Sequence, residues 1–93
     1  MNALNRERRT VIITNHLGLH ARPAAEFVKL AGRFQADVCL AKGDLEVSGK
    51  SIMGVLMLVA ERGTELVIET SGAEATDAAD ALADLVNRGF GEG

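Results

Sequence analysis

Ninety-three residues make one domain, with room for a single core and too little chain for a deep, multi-walled cleft. A net charge of −3 argues against an electrostatic nucleic-acid binder, and a lone Cys39 excludes an internal disulfide and a thiol cluster for zinc. The longest strongly apolar run, residues 52–60, falls far short of the roughly 20 residues that span a bilayer.

The start, MNALNRERR, carries charge with no apolar stretch behind it. It reads as a cytoplasmic chain without a signal peptide, its residues 1–9 forming a flexible extension that includes Arg6, Arg8 and Arg9. Residues 10–14, TVIIT, are β-branched throughout and predict a strand. Residues 15–19 follow as a loop with Gly18 as the turn residue. From Ala21 to Phe34 the apolar positions 24, 27, 28, 31 and 34 trace one helical face, with Gly32 weakening its end. Residues 36–41 alternate as a second strand, Lys42-Gly43-Asp44 supplies a turn, and Leu45-Glu46-Val47 is a short third strand.

Residues 51–60 predict a short helix, too apolar on all sides for its faces to be assigned by periodicity alone. Val55, Leu58 and Val59 can serve the core, which leaves Ile52, Met53 and Leu56 free for another surface. Ser51 precedes this helix as a good N-cap, with Ser48 competing for the role. A turn at Arg62-Gly63-Thr64 leads into a fourth strand at residues 65–70. Ser71 and Glu74 then have capping-box spacing ahead of a helix whose face is Ala75, Ala78, Ala79, Leu82, Leu85 and Val86. Gly89 ends it and Phe90 folds back onto the core. The order β-α-β-β-α-β-α specifies an α+β domain, a two-layer arrangement with three helices on one face of an antiparallel sheet, covering residues 1–93 without a linker or repeat.

The chemistry concentrates at His20-Ala21-Arg22-Pro23. Proline is tolerated in the first helical turn because its missing N–H has no intrahelical partner there. His20 therefore stands at or next to the N-cap. The free backbone amides of Ala21 and Arg22, with the positive end of the helix dipole, form a preorganised anion site. Arg22 adds a forked cation that matches phosphate oxygens. Both favour a neutral imidazole able to attack, and both stabilise a phosphoryl group once it arrives. A lone histidine is more often an ordinary hydrogen-bonding residue; nucleophile, cation and helix start within four residues point to function. His16 has no such surroundings and reads as a loop residue. Two other classes compete: a ligand-binding regulatory module, for which no polar pocket stands out, and a phosphatase-like enzyme, for which Asn15 alone is near.

Residues 15–25, NHLGLHARPAA, resemble the active-site signature of the HPr family, the histidine phosphocarriers of the bacterial phosphotransferase system. Lys50-Ser51-Ile52-Met53-Gly54 resembles that family's second signature, at the expected distance. The likeness runs from about Thr10 to Phe90. It implies an open-faced sandwich with sheet order 1-4-2-3, a phosphohistidine formed at Nδ1 of His20, and Arg22 as the cation beside it. It implies Enzyme I, charged from phosphoenolpyruvate, as donor, EIIA-type domains as acceptors, no cofactor or metal, a stoichiometric carrier and not an enzyme, and a monomer. It further implies that Ser51 is the site of an ATP-dependent HPr kinase/phosphorylase and that Ile52, Met53 and Leu56 form the docking patch. The segment Val86-Asn87-Arg88-Gly89-Phe90 resembles nitrogen-related members, so sugar uptake and a nitrogen-regulatory relay both stay open as pathways.

Overall fold

The element order follows the expected one: β1 (Arg6–Ile12), α1 (Ala21–Ala31), β2 (Asp37–Lys42), β3 (Leu45–Ser48), α2 (Ile52–Met57), β4 (Glu65–Ser71) and α3 (Ala75–Asn87), closed by a 3-10 turn at Gly89–Gly91. The structure is a computed structural model that describes residues 5–92. Its four strands form one antiparallel sheet in the order β1-β4-β2-β3. Alternation decides which sheet face is dry. Along β4, Leu66, Ile68 and Thr70 are buried while Glu65, Val67, Glu69 and Ser71 are not. Val11, Val38, Leu40, Leu66 and Ile68 from the sheet join Phe27, Val55, Leu58, Leu82 and Val86 from the helices in one core. The other sheet face is open, which gives the expected open-faced sandwich.

Several boundaries differ from expectation, the start of β1 for a long-range reason and the end of α1 for a local one. β1 starts at Arg6, so residues 6–9 are strand and not a flexible extension; residues 1–4 of that expected extension lie outside the described residues. Arg9 Nη2 donates to Asp80 Oδ1 on α3 at 2.8 Å, and Thr76 Oγ1 donates to Glu7 Oε2 at 2.8 Å. Glu7 and Arg9 of β1 are thus paired across the two layers, while Arg8 pairs with Glu69 on the neighbouring strand. α1 stops at Ala31 and not at Phe34, with Gly32 as its C-cap and Phe34 N–H turning back to Ala31 O.

The capping box at Ser71 is not used. Ser71 pairs within β4, opposite Arg6 on one side and Asp37 on the other. Glu74 is the N-cap of α3; its amide donates to Gln35 O and its carboxylate accepts from the Gln35 amide at 2.6 Å. Thr70, a buried polar side chain, donates to Ala75 O at 2.7 Å and so ties β4 to the same helix start.

α2 is shorter than expected, ending at Met57 with Leu58 as its C-cap. Val59 is the reason. Its φ is +47°, a left-handed conformation that costs an L-residue roughly 1–2 kcal/mol. Lys42 Nζ donates to the carbonyls of Leu58 and Val59 at 3.0 and 3.1 Å, which satisfies the helix end and holds the bend. Val55 and Leu58 face the core as expected, whereas Val59 is 67 % exposed and does not.

Candidate functional site

His20 is the N-cap of α1, with extended backbone, and its carbonyl accepts from the Ala24 amide at 3.0 Å. Helix geometry leaves the amides of Ala21 and Arg22 without an intrahelical acceptor, and Pro23 has no N–H to leave. The first turn of α1 contains no acidic residue. Pro23, Ala24, Phe27 and Ala31 anchor the helix in the core, so its start is held while His20, Ala21 and Arg22 face outward. The loop before it is pinned from the other side. Gly18, at φ +72°, packs so closely on the segment after α2 that an added Cβ would lie 2.7 Å from Ala60 O. The Leu19 amide donates to that same Ala60 carbonyl at 2.8 Å.

The structure adds a residue that spacing did not suggest. Glu92, beyond the last turn, places both carboxylate oxygens 3.1 Å from His20 Nε2. Its side chain is 17 % exposed, against 36 % for His20. Fully buried Asn15 donates from Nδ2 to Glu92 Oε1 at 3.0 Å and to Gly18 O at 2.7 Å. The His20 hydrogen bond, and after it the one from Asn15, holds the Glu92 carboxyl below its ordinary range against the opposing effect of burial. His20 Nδ1 makes no hydrogen bond, and Arg22 makes no ion pair, among the described residues. His16, Leu17, His20, Arg22, Gly91 and Glu92 line a shallow open depression of about 530 Å³. The sequence signal for Glu92 is Gly89-Phe90-Gly91, two glycines around an apolar residue; in the structure all three have positive φ, Phe90 is buried, and the chain turns back there.

Ser51 is the N-cap of α2, its Oγ accepting from the Gly54 amide at 3.1 Å. Ser48 instead accepts from the Lys50 amide within the turn. Met53 is 68 % and Ile52 36 % exposed, while Leu56 is half-buried against the core. Leu56 and Val59 share a second depression with Leu17, Leu19 and His20, so it is the C-terminal end of α2 that borders the histidine. Exposed Leu17, Met57 and Val59 extend the apolar surface beyond the three residues expected.

A family model for the PTS HPr component phosphorylation site matches residues 7–88. The chain belongs to the HPr family. Phosphoryl carriage in the phosphotransferase system follows from that membership, as does the kind of partner it serves. The chain is 46% identical to phosphocarrier protein HPr of Neisseria meningitidis over 86 residues, covering 92% of this chain and 97% of that one. It is 50% identical to phosphocarrier protein HPr of Pseudomonas putida over 86 residues, covering 91% and 96%. Among solved structures it is similar to HPr-C-His from Thermoanaerobacter tengcongensis, with a TM-score of 0.90 and 38% identity, covering 94% of this chain and 98% of that chain. The sheet order expected of HPr is the order observed. No helix among the described residues is long and apolar enough to cross a membrane.

Proposed function

We propose that His20 accepts the phosphoryl group at Nδ1 from phospho-Enzyme I, itself charged from phosphoenolpyruvate, and passes it to an EIIA-type domain. The chain acts as a monomeric, stoichiometric carrier in the cytoplasm, without cofactor or metal. One observation carries this reading: a half-exposed imidazole with an unengaged Nδ1 stands at a helix N-terminus whose Ala21 and Arg22 amides are free. The Arg22 guanidinium lines the same depression and is available to the phosphoryl oxygens. In the transfer, the Nδ1 lone pair attacks the phosphorus, the bond between phosphorus and the donor breaks, and its electron pair stays with the donor.

Ile52, Met53 and Leu56 are the docking patch, together with Leu17, Met57 and Val59 around His20. Methionine suits a surface that must accept more than one partner. The test is incubation of the chain with phosphoenolpyruvate and purified Enzyme I, followed by intact mass. One added phosphate that is acid-labile and alkali-stable is expected; no added mass, or an acid-stable one, would sink the reading.

Ser51 is a regulatory phosphosite for HPr kinase/phosphorylase within this reading. A phosphate there adds about −1.5 to −2 charge at a helix start that tolerates it, on the helix that presents the docking patch. Ser51→Asp is expected to leave stability nearly unchanged, because Asp caps as well as Ser. It is expected to slow transfer from Enzyme I by about tenfold through unfavourable charge at the interface. An unchanged transfer rate in a stopped-flow or quench assay would remove this role.

A further inference from the structure

The contact between the chain's end and its histidine is more built than a chance surface pair. Three successive positive-φ residues, Gly89, Phe90 and Gly91, reverse the chain after α3. The Phe90 ring is buried, which anchors the reversal despite a conformation unfavourable to it. The Glu92 amide then donates to Gly89 O at 2.9 Å. The carboxylate that results is held from two sides, by His20 Nε2 and by Asn15 Nδ2. Asn15 itself cannot turn over: both of its N–H groups point at oxygens, and a flipped amide would set Oδ1 against the same two acceptors. Asn15 Oδ1 is buried without a partner, so the amide's orientation is dictated by Gly18 O and Glu92.

We propose that Glu92 is a positioning residue for His20: its carboxylate keeps the ring's proton on Nε2 and thereby presents the Nδ1 lone pair to the incoming phosphoryl group. The proposal rests on His20 as the phosphoryl acceptor. An ionised carboxylate only accepts hydrogen bonds, so a neutral ring facing it must donate from Nε2 and leave Nδ1 unprotonated. A carboxylate fixing the tautomer of a reacting histidine through the nitrogen that does not react is a recurrent device of nucleophilic sites.

The same contact serves both halves of the carrier cycle. As Nδ1 attacks phosphorus, positive charge develops on the ring and the Nε2 proton stays in place, facing Glu92. When the group moves on, the Nδ1–P bond breaks and its electron pair returns to Nδ1. The leaving group is then a neutral imidazole that still carries its Nε2 proton. Without that proton it would have to leave as an imidazolate, a far poorer leaving group.

The test uses the full chain labelled with ¹⁵N, as the parent and as Glu92→Ala and Glu92→Gln. Long-range ¹H–¹⁵N spectra of the His20 ring, at a pH where it is neutral, are expected to show one pinned Nε2–H form in the parent. In Glu92→Ala the two nitrogen shifts are expected to move toward each other as the tautomers mix. Both phosphoryl uptake from Enzyme I and onward transfer are expected to fall about tenfold, and Glu92→Gln, which keeps the shape without the charge, to fall between. A parent ring protonated on Nδ1, or a Glu92→Ala chain with unchanged spectrum and rates, would overturn the proposal. A parent that takes no phosphate would overturn the carrier reading instead, while the ring spectrum, which needs no donor, would still decide the part played by Glu92.

Discussion

His20→Ala is expected to take up no phosphoryl group from phosphoenolpyruvate and Enzyme I, and yet to unfold within about 1 kcal/mol of the parent. The two halves of that result have separate causes. His20 is the N-cap of α1 but its side chain makes no capping bond; the capping position contributes through its carbonyl, which alanine retains. What the ring does bind is Glu92; the ring is partly exposed, where such pairs contribute little, and the more enclosed carboxylate keeps its hydrogen bond from Asn15 when the ring is removed. The core under the site does not use the ring either, because Pro23, Ala24 and Phe27 hold the helix start. Intact mass after incubation reads the first half and urea unfolding of the unlabelled chain the second. Full labelling of His20→Ala would place the phosphate elsewhere and remove the central claim. A large loss of stability would mean that the ring is a structural member of the fold.

Much of the fold is legible because its signals are local. Pro23 marks the start of α1, the apolar positions 24, 27 and 31 face the core, and the alternation in β4 matches its burial residue by residue. Apart from the early stop of α1 at Gly32, the main departures involve partners distant in sequence. Glu7 and Arg9 look like part of a charged tail until Thr76 and Asp80 of α3 are brought beside them. Ser71 and Glu74 have the spacing of a capping box, but two neighbouring strands claim Ser71, and Gln35 satisfies Glu74. Residues 51–60 are apolar enough to continue a helix; the left-handed Val59 and the reach of Lys42 from β2 stop it.

The site divides along the same line. His20, Ala21 and Arg22 are placed by a run of four residues, and the structure puts them at a helix start as that run implies. Ser51 as the N-cap of α2 is equally local. Glu92 is 72 positions from His20, and no spacing rule connects them; only the Gly-Phe-Gly turn hints that the chain doubles back. Asn15 is a polar residue near the histidine in sequence, but what its amide does is set by Glu92, 77 positions away. The exposure of Leu17, Met57 and Val59 likewise follows from how α2 packs, and not from their hydropathy.

Phe27→Ala is expected to be the costliest single change in this core, lowering stability by about 3–5 kcal/mol out of a total of about 5–15 for a domain of this kind. Phe27 is fully buried on α1 and is the largest of the completely enclosed side chains. Its ring edge fills the space left by the missing side chain of Gly49: a Cβ there would lie 3.1 Å from Phe27 Cε1 and would clash with Val38. The ring thus joins the helix that begins at His20 to the turn that leads into Ser51 and α2. Alanine would open a cavity between the two segments that the HPr signatures occupy, and neither segment can close it without moving its own helix. The urea midpoint is expected to fall with the slope unchanged, and the melting temperature to drop by about 12 °C or more. Under conditions where the variant is folded, phosphoryl uptake should slow while its end point stays at one phosphate, since His20, the proposed acceptor, is intact. Phe27→Leu should cost less because it refills part of the cavity. If Phe27→Ala unfolded within 1 kcal/mol of the parent, the ring would not be what holds α1 against the α2 turn. The geometry around His20 would then have to be maintained through the backbone link from Leu19 to Ala60 instead.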